Sequence, residues 1–378
     1  MSRDPVDAIT LAEIAETCHV SPDQIEDIYA CTPLQVSSMA ESSIYAGDSV
    51  YRLVINIAPT VDLDLFCAAL QRVASLNSVL RTRIVDCDLG VVQVVTSEQH
   101  YTKRLSGDAA QYMREDKAHP IGLGDLLFRS AIIARKLVLT MHHAILDFTS
   151  SFLMIGDVIR LYHGQEPKVH AAFKDFVAHC ISIEESTART FWASQFKGTP
   201  AIFPHVELGY IPHATQTLSR DLEFKQVNAG VSLAHLPSFI EAAWALTLGV
   251  YTNSQNVVYG RTLSGRTPAL GGAETTLGPT LAIVPVQVKL QHSMTVEGIL
   301  KERTTANRQL QTHPALQYGI ARIRTVSEAA QIASGFQTLL NIYPPPLIDA
   351  SESADLEHEQ TDEPHAPFSL CMICLIAN

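Results

Sequence analysis

The segment Leu137 to Ser151, LVLTMHHAILDFTSS, puts two adjacent histidines, His142 and His143, at the end of an apolar run, with Asp147 four residues after the second. Histidine has the side chain whose ordinary pKa lies nearest neutrality, so imidazoles beside a carboxylate can hold or move a proton. Three chemistries are open to this spacing. As a metal site the set is short of ligands, because no third His, Cys or Glu falls at helical or strand spacing from it. As an acid-base site, His143 would be the base and Asp147 would orient the loop without touching substrate. As structure alone, His143 would close a strand and Asp147 would cap a helix beginning near Thr149.

Other nucleophile and phosphate motifs are missing. Ser264 in LSGR lacks the glycine two residues before it that a nucleophile elbow requires. The stretch GLGD at 122–125 has neither a third glycine nor a Lys-Ser/Thr after it. The close cysteine pair CMIC, 371–374, lies in the apolar tail FSLCMICLIAN with no helix to follow, and reads as a buried strand, not a redox motif.

The elements around the two histidines read as an α/β layer. LAEIAETCHV is helical; the helical spacing resumes at Ile25 and Ile28 after the Ser21-Pro22 break, and another helix follows Thr32-Pro33. YRLVINIA alternates like a strand, DLDLFCAALQRVASLN has helical spacing, and GVVQVVT is β-branched. LLFRSAIIARKLVLTMHH holds two strand-like runs with only Arg135-Lys136 between them and no Gly, Asn or Asp. So short a turn could shift the register of the histidine strand. TSSFLMIGDVIRLYHG reads as a helix stopped by Gly164.

A polar stretch, QEPKVHAAFKDF, marks a division into residues 1–165 and 166–378. In the second half, STARTFWASQFKG, LAHLPSFIEAAWALTLGVYT and Thr295 to Leu310 read as helices; NVVYGRTLS, LAIVPVQVKL and GFQTLLNIY read as strands.

At 378 residues the chain exceeds what one core usually supports, and 47% hydrophobic with 17% charged residues fits a well-packed globule. A net charge of −12 disfavours nucleic acid and anionic membrane surfaces as partners. After Arg324 there is no Lys or Arg, and IDASESADLEHEQTDEPH carries seven acids; residues 349–364 are expected to form a solvated, partly disordered acidic loop. Seven thinly spread cysteines suit reduced thiols. With no signal peptide and no apolar run of roughly 20 residues, the expected setting is the cytoplasm and the expected state a monomer.

Taken in order along the chain, several segments resemble one family. HHAILDF is similar to the HHxxxDG motif of nonribosomal peptide synthetase condensation domains, and the wording resembles fungal members. IEDIYACTPLQ resembles the family's opening segment, and LRTRIV and AHPIGLGDLLFR resemble segments before the histidine strand. AAWALTLGVYTNSQNVVYGRTLSGR and LGPTLAIVPVQV are similar to later ones, so the likeness runs from about residue 22 to residue 343.

The resemblance implies two chloramphenicol-acetyltransferase-like subdomains forming a V-shaped pseudo-dimer with a central tunnel, the second subdomain incomplete because the family usually continues beyond Asn378. It implies amide, or less often ester, formation between substrates that carrier proteins deliver on phosphopantetheine arms, with no bound cofactor and no metal. His143 becomes the catalytic residue and His142 a structural one. Asp147 is expected to pair with Arg81 or Arg83, and Gly278, Pro279 and Thr280 to floor the tunnel, unless they only form a tight turn before a buried strand. Phe148 stands where the motif has glycine, in a place where a side chain would crowd the substrate or restrict the backbone. That departure and the short C-terminus keep open an inert relic or carrier-docking module, and the H-x-x-x-D of His143 and Asp147 keeps open a coenzyme A-dependent acyltransferase. Epimerisation or cyclisation by the same fold is also open.

Overall fold

The computed structural model describes residues 7–207, 235–266, 272–343, 355–362 and 368–376, with shorter stretches between 210 and 222. The chain divides into two compact units. The first comprises 1–181, 270–280 and 346–364, so it runs past the 165/166 division expected from sequence and takes in two later segments.

In the first unit the strands are β1 (Ile25–Ala30), β2 (Val50–Ile57), β3 (Thr82–Cys87), β4 (Gly90–Thr96), β5 (Lys103–Leu105), β6 (Phe128–Ile133) and β7 (Lys136–His142). Its helices are α1 (Ala8–Thr17), α2 (Pro33–Ile44), α3 (Leu63–Leu76), α4 (Ala109–Lys117), α5 (Phe148–Tyr162) and α6 (Phe173–Ser182). One sheet is ordered β1-β4-β3. The other joins β2, β7, β6 and β5 and is closed at its β2 edge by a strand from the acidic segment, Leu356–Asp362.

Alternation along β7 decides what each face buries. Leu137, Leu139 and Met141 join Phe66 and Leu70 of α3 and Met154 and Val158 of α5 in one core. On the other face Val138 packs with Val54 and Ala109, and Thr140 donates to Asp116 of α4 at 2.9 Å. Arg52 and Arg129 meet the same carboxylate at 2.7 and 3.0 Å. These pairs satisfy a charge that would otherwise be buried alone.

Four expectations change. Ile25–Ala30 is a strand, not a helical turn: it pairs antiparallel with β4, and a register shift between Ile25 and Asp27 breaks the alternation that would have revealed it. The turn before the histidine strand consists of Ala134 and Arg135, because Ile133 pairs directly with Lys136. Ala134 takes the left-handed conformation, φ 54°, that Gly or Asn usually supplies. The Arg135 guanidinium fastens the turn, donating to the carbonyls of Ile57 (3.2 Å), Ala58 and Val61 (2.7 Å). The register of β7 is therefore unshifted, running from Asn56 opposite Lys136 to Val50 opposite His142.

The acidic segment is the third change. Residues 356–362 form an edge strand on β2, with Leu356 against the core, Glu359 paired to Lys136 at 2.5 Å and Asp355 to His163 at 2.6 Å. Charged residues suit an edge strand, where they discourage further pairing. Residues 349–354 and 363–364 lie outside the described residues.

The second unit comprises 182–269, 281–345 and 365–378. It contains α7 (Glu185–Gln195), α8 (Leu236–Thr252), α9 (Val296–Thr312), β8 (Asn256–Leu263), β9 (Ala282–Lys289), β10 (Thr338–Tyr343) and, after β11 (Leu356–Asp362) of the first unit, β12 (Leu370–Leu375). Its sheet is ordered β12-β10-β8-β9, with β10 parallel to both neighbours. Trp192, Tyr259 and Tyr318 are fully buried in its core. The CMIC tail is the fourth change: it is β12, as expected a strand, but at the sheet edge and largely exposed.

Candidate active site

β7 ends at His142, and the loop from His143 to Leu146 delivers Asp147 to the start of α5. Ala144, Ile145 and Leu146 are fully buried, which fixes the loop. A second anchor comes from α2. Thr32 and Gln35 form a capping box at its start, and the Gln35 amide then donates to the Ala144 carbonyl at 2.9 Å and to Gln93 at 2.8 Å. Thr32 and Gln35 belong to the CTPLQ stretch, so one motif holds the other.

His142 is structural in its contacts. Its Nδ1 accepts from the Ala144 N–H at 3.0 Å, so the ring proton lies on Nε2 and is donated to the Ser42 hydroxyl at 2.8 Å. Burial, and then the charge of His143, push its pKa down to about 3, and the ring is neutral at physiological pH.

His143 is held differently. Its N–H donates to the Ser49 carbonyl at 2.7 Å, and its ring stacks on Tyr51 of β2, with centroids 4.5 Å apart and planes at 26°. Tyr51 is itself fixed by a 2.6 Å hydrogen bond between its hydroxyl and Ser151 of α5. Nδ1 of His143 is buried and makes no hydrogen bond of normal geometry, while the residue as a whole stays partly exposed. Burial lowers its pKa, opposed by the Leu146 main chain and the Asp147 charge. The neutral imidazole is the favoured form.

Asp147 caps α5. One carboxylate oxygen accepts from the Ser150 N–H at 2.8 Å and the Ser150 hydroxyl at 2.7 Å. The other accepts from the Thr280 N–H at 3.0 Å. The cap expected for this residue is therefore present. Neither Arg81 nor Arg83 is its partner: Arg81 binds Glu26 at 2.8 Å and the Thr96 carbonyl, and Arg83 binds Glu98 and the Gly124 carbonyl. Their partners lie on β1 (Glu26), at the end of β4 (Thr96), just beyond β4 (Glu98) and before β6 (Gly124).

Residues 278–280 come to Asp147 from the far end of the sequence. Gly278 has φ 151°, and a Cβ there would lie 2.3 Å from the Phe173 ring of α6, so only glycine fits. Thr280 is fully buried. Phe148 is the first residue of α5, has helical backbone and rests edge-on against Phe152 at 4.6 Å. The motif glycine is thus not needed for backbone conformation here. Among the described residues no group of three His, Cys, Asp or Glu is placed to hold a metal ion.

Sequence reasoning missed Tyr51, Ser42, Ser49 and Gln35. Only Gln35 left a signal, the T-x-x-Q spacing of a capping box; Ser42 and Tyr51 bond through hydroxyls, and Ser49 through its carbonyl, to partners about 100 residues away.

A mixed α/β chain that carries an HH-x-x-x-D loop from the end of a central strand into a helix cap has the arrangement of an acyltransferase of the condensation type. The condensation-domain family model matches residues 25–363, and the chain belongs to that family, the condensation domains of nonribosomal peptide synthetases. It is 46% identical over 302 residues to nonribosomal peptide synthetase valB of Aspergillus terreus, covering 78% of this chain and 11% of that protein. It is 33% identical over 368 residues to cyclochlorotine synthetase of Talaromyces islandicus, covering 93% and 6%. The chain thus spans a small fraction of these relatives.

A variant of the starter condensation domain of rhizomide synthetase has the same fold, with a TM-score of 0.72 at 18% identity over 93% of this chain and 88% of that one. Another variant of that domain, in complex with C8-CoA and Leu-SNAC, gives 0.70 at 19% identity over 89% and 81%. The sheets and helices agree with two chloramphenicol-acetyltransferase-like subdomains. Condensation domains are acyltransferases that form amide bonds.

Proposed function

We propose that the chain joins an acyl or peptidyl thioester on one carrier protein to an acceptor amine on another, with His143 acting on the amine. The observation that carries this reading is the state of the His143 ring: it is stacked on Tyr51 and kept neutral by burial. In this reading Nε2 is the nitrogen that meets the amine. The amine nitrogen attacks the thioester carbonyl, the C–N bond forms and the C–S bond breaks. The proton released from nitrogen passes to Nε2 of His143 and on to the departing thiolate of phosphopantetheine.

A thioester is already activated and the carrier arms make the encounter local, so little further machinery is required. A free α-amine has a pKa of about 8 and is mostly protonated at neutral pH. A neutral imidazole that orients it or takes its proton contributes about 10²–10⁴-fold. Asp147 and His142 position the loop. Phe148, helical and packed on Phe152, changes the shape beside the motif without straining it.

Intact-mass analysis of carriers after incubation with the native chain and a panel of loaded donors and acceptors tests the reading. A condensed product on the acceptor carrier supports it. Turnover with free acyl-coenzyme A and no carrier identifies a coenzyme A-dependent enzyme instead; carrier binding without product, in both the native chain and Phe148→Gly, identifies a docking module.

A further inference from the structure

The stretch after α5 contains His170, whose ring joins three parts of the first unit. Nδ1 donates to the Thr275 carbonyl at 2.7 Å, and Nε2 donates to the Asp157 carboxylate. Asp157 lies on α5, is almost wholly buried and also accepts from the Lys168 N–H at 2.9 Å. The same region is packed too closely for side chains at two glycines. A Cβ on Gly272, φ 87°, would lie 2.7 Å from Ala171, and Gly278 faces Phe173 as described. Three residues beyond Gly272 the chain is tied by His170, and five further on Thr280 gives its N–H to Asp147.

We infer that His170 is a positioning residue: by bridging Asp157 and the Thr275 carbonyl it holds the 272–280 segment so that the Thr280 N–H reaches the Asp147 carboxylate at the base of the catalytic loop. The activity arm of this inference rests on the proposed condensation reaction. Making both hydrogen bonds at once requires the imidazolium, since a neutral ring has one N–H. Burial opposes that charge most, but the hydrogen bonds to Asp157 and Thr275 and the Asp157 charge outweigh it and raise the pKa, with Lys168 acting against them. Asp157 on α5 and Lys168 before His170 are the charged groups acting on the ring; the 272–280 segment contributes the Thr275 carbonyl.

A pH dependence follows with a definite sign. The bridge is complete at pH values below the ordinary histidine range and loses one of its two hydrogen bonds as the pH rises through the raised pKa. Hydrogen exchange of the 272–282 peptide tests this without turnover. Expected in His170→Gln is exchange of the Thr280 amide faster by about tenfold, the equivalent of one lost hydrogen bond. In the native chain the same acceleration, beyond the intrinsic pH effect, appears only above the His170 pKa. That pKa is read by NMR of ring-labelled histidines and lies above the ordinary value.

Asp157→Asn keeps the shape and removes the charge, so it serves if His170→Gln does not fold; it moves the His170 titration and the onset of faster exchange to lower pH. In condensation assays His170→Gln lowers kcat and leaves KM unchanged. A Thr280 amide equally protected in native chain and variant, or a His170 titration at or below the ordinary value, overturns the inference. If the native chain makes no condensed product, the proposed function falls while exchange and NMR still decide the bridge.

Discussion

At the scale of residues, the site separates two histidines that the sequence writes side by side. His142 has both ring nitrogens engaged and serves the loop; His143 has its ring stacked on Tyr51. In the proposed reaction Tyr51 therefore governs the aim of the His143 ring. Tyr51→Phe keeps the stack and loses the Ser151 hydrogen bond, and its single-turnover rate is expected within about threefold of native. Tyr51→Leu removes the stack, and a rate about tenfold or more below native follows from lost orientation. Equal rates in the two variants would show that the stack does not aim the ring.

His142 also makes stability depend on pH. Its folded pKa is depressed to about 3, so the unfolded chain binds a proton below pH 6.5 that the folded chain does not. Stability from this group is present above pH 6.5 and is lost as the pH falls. Between pH 7.5 and 5.5 the loss is about 1 kcal/mol. Urea unfolding at the two pH values measures it, and the difference shrinks by that amount in His142→Asn.

At the scale of elements, the loop that carries both histidines is held by α2 through one buried amide. Gln35→Leu keeps the volume but leaves the Ala144 carbonyl and Gln93 without their donor, a cost of about 1–3 kcal/mol. A lower urea midpoint together with slower condensation is expected; an unchanged rate would show that the loop is held without α2.

The same elements show what the sequence could reveal. The Asp147 cap, the strand ending at His142 and the helix stopped near Gly164 were all legible, because caps and periodicity are local signals. β1 was not, since its bulge puts Ile25 and Ile28 at helical spacing. Nor were the partners of Arg81 and Arg83: their acids lie 55 and 15 residues away, on β1 and just beyond β4, and the sheet order that brings them close is not written in any one strand. The edge strand at 356–362 was hidden because its charges read as solvated loop, whereas Leu356 and the open backbone of β2 decide its place.

At the scale of the whole molecule, the order of matching segments carried more than any single motif. HH-x-x-x-D alone fits a strand end and a helix cap as well as a catalytic loop, and the structure contains both the cap and the strand end. Family membership came from the succession of segments from residue 25 to 363. The proposed chemistry rests on His143. The most direct measurement is the single-turnover rate of condensed-product formation on loaded carriers by the native chain and by His143→Ala, with circular dichroism confirming that both are folded. A rate lower by about 10²–10⁴-fold in the variant is predicted. Equal rates in two folded proteins would contradict a catalytic role for His143.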